Sequence, residues 1–170
     1  MAAFKIDIPG YTLFVLSGIL PWFFFNGALI EATNSFVANA PILKQGVFPR
    51  EFIPIASVLG NLLNFLIGLV FLMPLFLIYN PKTVLFLPLL FAIVALHCVF
   101  VVGLGILFSC VNVFFRDTGH FLASVFMVWF WVTPIFYSLD MLPAHFKWIC
   151  LINPVTYFVV LYRRILFNAQ

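Results

Sequence analysis

An all-α, polytopic transmembrane helical bundle follows from three features of this 170-residue chain. It is 65% hydrophobic and only 8% charged, with a mean hydropathy of +1.21. Soluble domains carry roughly 25% charged residues, and this chain has too few to coat a water-facing globule. Four apolar segments, 11–37, 52–79, 83–115 and 120–139, each meet the ~20 helical residues that a ~30 Å hydrocarbon core demands. The third feature is a missing pattern: there are no ten-residue strands of alternating polarity, so the spans are helices and not a membrane barrel. Residues 1–170 read as one such domain.

The first segment, Tyr11–Val37, contains Glu31 and Asn34 and is followed by Ala38-Asn39-Ala40, which looks like a leader cleavage site. It is about twice the length of a leader's apolar core, and Pro41 follows the cut, so a retained span is expected.

Between the first two spans, Ala38–Glu51 mixes Ile42, Leu43, Val47 and Phe48 with Lys44, Arg50 and Glu51. Such a mixture suits a short amphipathic helix on the membrane surface, with its charged edge open to a partner. An interfacial loop without a partner is the plainer alternative. In the second span Ser57, Gly60, Asn61, Asn64 and Gly68 share a face. Small and amide side chains there favour close helix approach and interhelical hydrogen bonds, with a polar pathway as the sharper alternative.

Asn80-Pro81-Lys82 ends the second span, and His97 lies near the middle of the third. An ionisable residue at membrane depth is a functional candidate by default. An imidazole satisfied by a neighbouring helix is the plainer reading, because that span holds no acidic companion for a proton relay. Gly103 and Gly105 point to packing. The turn Arg116-Asp117-Thr118-Gly119 separates the third and fourth spans, and Asp117 is placed to cap the next helix. His120 has no second ligand at helical spacing, so no metal site is expected.

On the fourth span Phe126, Trp129, Phe130, Thr133 and Tyr137 form a ridge at helical spacing. It faces lipid or packs inside, although flat aromatic rings also stack on sugars. The tail behaves differently. Phe146–Ile152 and Pro154–Phe167 are helix-like pieces divided by Asn153, and Asn followed by Pro is a helix restart signal. At about 1.5 Å per residue they reach about 11 and 21 Å, short of a crossing. They are expected to lie in the interface or form a re-entrant hairpin, with Trp148, Tyr157, Tyr162, Arg163 and Arg164 as anchors.

Eight Lys and Arg against five Asp and Glu give +3, too small and dispersed for a nucleic-acid surface. Cys98, Cys110 and Cys150 are odd in number, with no CxxC spacing, and read as buried thiols. The sequence holds no GxxxxGK[ST] loop for nucleotide phosphates and no visible catalytic set.

Five motifs now stand in order: LPWFF at 20–24, Ala38–Glu51 ending in VFPRE, NVFFRD at 112–117, TPIFY at 133–137 and INPVTYFVVLYR at 152–163. Over about residues 10–168 the chain resembles the type-2 ABC exporter permeases that move O-antigen, capsule or teichoic acid polymers. The resemblance implies that 38–51 is a cytoplasmic coupling helix docking on a separate ATPase subunit, through Lys44, Phe48, Pro49, Arg50 and Glu51. It implies a cytoplasmic turn at Arg116, Asp117 and His120. It makes 143–168 a periplasmic re-entrant gate, bent at Asn153 and Pro154, with Tyr157 and Arg163 on it. Trp22, Phe126, Trp129, Phe130 and Tyr137 would be channel aromatics.

The implied assembly is two permease copies with two ATPase subunits in the inner membrane, carrying a lipid-linked glycan. ATP and Mg belong to the partner, and this chain binds no cofactor. An exporter of drugs or small lipids, or a membrane-embedded glycan-modifying enzyme, is the alternative. Family members have a further span before the position of Tyr11 and another after that of Gln170, so the chain reads as part of such a permease. Charge opposes the implied orientation. Lys44, Arg50 and Arg116 share one side, while Lys5, Lys82, Lys147, Arg163 and Arg164 share the other, which the positive-inside rule would place in the cytoplasm.

Overall fold

The computed structural model describes residues 10–41 and 49–168, and among them the regular elements are all helices. We number the α-helices α1 (Tyr11–Ala38), α2 (Phe52–Tyr79), α3 (Leu87–Phe114), α4 (Thr118–Val132), α5 (Ala144–Ile152) and α6 (Pro154–Arg163). A 3-10 turn, Pro81–Phe86, leads into α3, and a π turn, Arg164–Asn168, follows α6.

Among the described residues, three stretches are long and apolar enough to cross a membrane: α1, α2 and Pro81–Phe114. They run up, down and up. Gly10 at the start of α1 lies against Tyr79 at the end of α2, and Glu31 of α1 meets Asn61 of α2. In α3, His97 meets Phe24 of α1 and Asn112 meets Thr33, so α1 and α3 run parallel. Gly10 has φ of 73°, and a Cβ there would strike the Tyr79 ring at 2.7 Å, so the turn into α1 requires glycine.

α1 is the central helix. Half of its most apolar stretch is buried within the chain, against 17% for α2. Ala32, Val58 and Gly105 form the tightest meeting of α1, α2 and α3. A Cβ on Gly105 would stand 3.0 Å from Ala32 Cβ and 3.5 Å from Val58 Cγ2. Without a hydrophobic drive between helices in lipid, such close backbone approach supplies the dispersion contact that joins them. The outward faces of α2 and α3 carry Ile67, Phe71, Ile78, Phe91 and Val99, all exposed, as hydrocarbon-facing surfaces should be.

The segment expected to cross at 120–139 is helical only as α4, whose 15 residues reach about 22 Å. The helix ends because Pro134 biases the residue before it away from the α region, and Thr133 takes φ −74°, ψ 131°. The tail divides as its sequence indicates. α5 and α6, of 9 and 10 residues, are each too short to cross, and the Asn153 side chain caps α6 by accepting from Val155 N–H at 2.9 Å. α6 packs on α1 and α3 and passes His97 on its way back to the Gly10/Tyr79 end. Of the expected interfacial anchors, Trp148, Tyr157 and Arg164 are exposed. Tyr162 and Arg163 are buried in the bundle instead, because α6 packs against it and does not lie on its surface.

Candidate functional site

The residues from Val132 to Tyr137 are where two distant motifs meet. With α4 interrupted, its last carbonyls need donors. Tyr137 Oη donates to Val132 O at 2.9 Å, and Cys150 Sγ donates to the same oxygen at 3.3 Å. Asn153 Nδ2 donates to Thr133 Oγ1 at 2.8 Å, while Thr133 Oγ1 donates back to Trp129 O at 2.8 Å. Arg163 Nη2 donates to Ile135 O at 2.9 Å, and Nη1 reaches Tyr137 O at 3.5 Å. Tyr11 Oη closes the ring of donors on Phe136 O at 3.2 Å. Asn153, Arg163 and Tyr137, drawn from the expected gate and channel sets, therefore converge on one non-helical segment.

Arg163 is 7% exposed. Its guanidinium carbon lies 3.7 Å from the centre of the Phe14 ring, and Gly18 leaves the room it needs. A buried cation held by carbonyl oxygens and an aromatic face serves to pin backbone. Pro154 begins α6, and exposed Tyr157 bonds to Leu151 O at 2.8 Å, away from this junction.

At the opposite end, Lys44 and Phe48 of the expected coupling edge lie outside the described residues. Pro49, Arg50 and Glu51 are exposed, as are Arg116, Asp117 and His120. Arg50, Glu51 and Arg116 line one cleft of about 970 Å³ with Phe36, Cys110 and Phe114. Asp117 occupies the position before α4 but makes no side-chain cap. Its backbone is helical (φ −86°, ψ −1°), whereas a capping side chain works from extended backbone.

The aromatic ridge packs inward. Phe126 stands 5.4 Å from Phe25, and Trp22 stands 5.6 Å from Phe130 and 6.4 Å edge-on to Phe126. Trp22 and Phe126 are each 2% exposed, so the chain itself covers their faces in this arrangement, while Trp129, Phe130 and Tyr137 are half-buried. His97 is fully buried, 4.2 Å from Phe158 in a stacked pair and 5.0 Å edge-on to Phe24. Neither of its ring nitrogens has a hydrogen-bond partner among the described residues.

A polar file runs along α1 and α2, and only its α2 part, Ser57 and Asn61, was singled out in the sequence as a face. Glu31 is the sole Asp, Glu, Lys or Arg in the four apolar segments. It is exposed, and its Oε2 accepts from Asn61 Nδ2 at 2.6 Å. Asn61 also donates to Ser57 O at 3.0 Å. One turn past Glu31, Asn34 Oδ1 accepts from Asn112 Nδ2 at 3.3 Å. The signal for this file was a lone carboxylate at membrane depth. From the expected packing face of α2, Asn61 does bridge helices; Asn64 is exposed and Gly60 has no neighbour within 4 Å of a built Cβ.

A helical bundle of apolar spans, charged at one end and interlocked at a broken helix toward the other, is a multi-pass membrane protein. More specifically, the chain belongs to the ABC-2 type transporter family, whose model matches residues 42–167. It is 35% identical over 166 residues to an O-antigen export system permease protein RfbA of Klebsiella pneumoniae, covering 97% of this chain and 64% of that relative. A protein of the same name from Myxococcus xanthus is 27% identical over 134 residues, covering 79% of this chain and 52% of its own length. The chain thus spans less than two thirds of the length of these relatives.

Proposed function

We infer that the chain forms the membrane-spanning part of an ATP-driven exporter that moves lipid-linked polysaccharide out across the inner membrane. The observation that carries this reading is the similarity to O-antigen export permeases over 97% of the chain. In this reading nucleotide hydrolysis belongs to a separate ATPase subunit. The exposed residues Pro49, Arg50, Glu51, Arg116 and Asp117 supply a charged docking end for it, and a second permease copy completes the path.

In mechanical terms, Arg50 and Glu51 stand at the start of α2, which shares the Ala32/Val58/Gly105 contact with α1 and α3. Force applied at Arg50 and Glu51 reaches the central helix through that contact. At the far end the broken segment 133–137, held by Asn153 and Arg163, is the part that can rearrange without unwinding a span. It is the gate in this reading.

Loss of the full-length subunit should leave cells without surface polymer and with lipid-linked polymer accumulating inside. Restoring it with Arg50→Glu combined with Glu51→Lys should not recover export. Unchanged surface polymer on loss of the subunit overturns the reading.

A further inference from the structure

We propose that Glu31, Asn39 and the Ser57/Asn61 turn of α2 form a subsite for the hydroxyl groups of a glycan, in the half of the bundle nearest Arg50. The proposal rests on the export reading above and assigns residues that reading does not use.

Three observations carry it. First, Glu31 lies seven residues inside the end of α1 at Ala38, about 10 Å along the helix, yet it is exposed. A carboxylate facing hydrocarbon is costly, and ionisable groups within spans face a bundle interior or a water-filled cavity. Second, the surface there is concave. A cleft of about 450 Å³, lined by Gly27, Glu31, Asn34, Ser35, Asn39 and Ser57 among others, falls in the size range of small-ligand sites. Third, the polar groups of this cleft, and of Asn61 beside it, are partly committed to the protein itself. Asn61 Nδ2 serves Glu31 and Ser57 O, Asn34 Nδ2 donates to Ile30 O at 3.0 Å, and Asn39 Nδ2 donates to Ser35 O at 2.9 Å.

Among the described residues, Glu31 Oε1 and Asn39 Oδ1 accept no hydrogen bond, and Ser57 Oγ and one N–H each of Asn34 and Asn39 are also left over. Open acceptors beside a carboxylate attract O–H donors and repel phosphate. A polyol such as a sugar ring has O–H groups that both donate to these acceptors and accept from the neighbouring N–H and O–H groups, whereas a phosphorylated headgroup would bring its negative charge against the Glu31 carboxylate. Gly27 shapes the wall: a Cβ there would stand 3.0 Å from Asn61 Oδ1. Asn61 is thereby held against α1, which fixes the aim of Glu31.

The test uses cells making the full-length subunit, its partners and their own polymer. Glu31→Leu and Asn61→Leu should each lower surface polymer by about tenfold or more at an unchanged membrane level of the subunit, the loss expected when a charge-assisted hydrogen bond is removed. Glu31→Gln keeps an acceptor and should lose less. In wild-type membranes a water-soluble carbodiimide with an amine tag should label Glu31, and polymer released from its lipid by mild acid should protect it.

Labelling by lipid-soluble dicyclohexylcarbodiimide alone would place Glu31 against hydrocarbon, and labelling by neither reagent would place it under a second copy. Protection by sodium or calcium chloride but not by polymer would make it a cation site. Each of these overturns the subsite. If loss of the subunit abolishes export while all three variants export at the parental level, the subsite fails and the export reading stands. If loss of the subunit changes nothing, the export reading itself fails.

Discussion

Asn153 donates its side-chain amide to the Thr133 hydroxyl at 2.8 Å, joining the residue just before α6 to the residue just after α4. The same side chain caps α6 through its oxygen, so one amide fixes both a helix start and a contact 20 residues away in sequence. Both partners are buried, and a lost bond therefore leaves an unsatisfied group. Asn153→Leu should lower stability by about 1–3 kcal/mol for the orphaned polar groups. Asn153→Ser, which retains a capping oxygen, should lose less. Thermal unfolding in detergent checks both, and a cycle with Thr133→Val should show the non-additivity of a direct contact. Fully additive losses would mean the bond carries no energy.

Arg163 poses a sharper question of geometry. Its fork reaches two carbonyls, Ile135 O and Tyr137 O, while its plane covers Phe14. Lysine keeps the charge and loses both the fork and the flat face. Arg163→Lys should therefore destabilise by about 1–3 kcal/mol, close to the loss from Arg163→Met. Phe14→Leu should cost about 1–2 kcal/mol through the cation–π contact. Melting temperatures give the ranking. A lysine variant as stable as the parent would show that charge alone matters there.

Two glycines two positions apart in α3 have opposite surroundings. A Cβ on Gly105 would meet Ala32 Cβ at 3.0 Å, whereas one on Gly103 would meet nothing within 4 Å. Gly105→Val should overpack the three-helix contact at a cost of about 1–3 kcal/mol. Gly103→Ala should be neutral or stabilising by up to about 1 kcal/mol, from helix propensity alone. Equal effects at the two sites would contradict the packing seen at Ala32 and Val58.

How much of this was legible in the sequence depends on the range of each interaction. The long spans follow from apolar length, and the α6 restart follows from Asn153 and Pro154, which act on adjacent residues. The early end of α4 was less legible. The apolar run continues past Thr133, but Pro134 and the donors from Cys150, Asn153 and Arg163 favour a break there, and those donors lie 18 to 28 residues away. The aromatic ridge was visible as spacing, yet its burial depends on Trp22 and Phe25 facing it from α1. Glu31 was visible as a charge, and its role stayed hidden because Asn61, its partner, is 30 residues distant. Belonging to a family of transporters came from ordered motifs, which no single residue supplies.

Orientation is the last point on which sequence and structure bear together. The loop-charge count places Lys5, Lys82, Lys147, Arg163 and Arg164 on the cytoplasmic side, opposite to the export reading. Arg163 does not belong in that count, because it is buried and bonded to Ile135 O and Tyr137 O rather than free at a membrane surface. The positive-inside bias concerns accessible loop charges near span ends. Arg50 and Arg116, both exposed, are such charges at the end assigned to the ATPase. Single cysteines introduced as Arg116→Cys and Lys82→Cys, in full-length subunit with Cys98, Cys110 and Cys150 replaced by alanine, should separate the two orientations. An impermeant maleimide added to intact cells should label the Lys82→Cys variant, and the Arg116→Cys variant should react only after the membrane is opened. The reverse pattern would put Arg50 and Glu51 outside, out of reach of any cytoplasmic ATPase, and the docking end proposed for them would be lost.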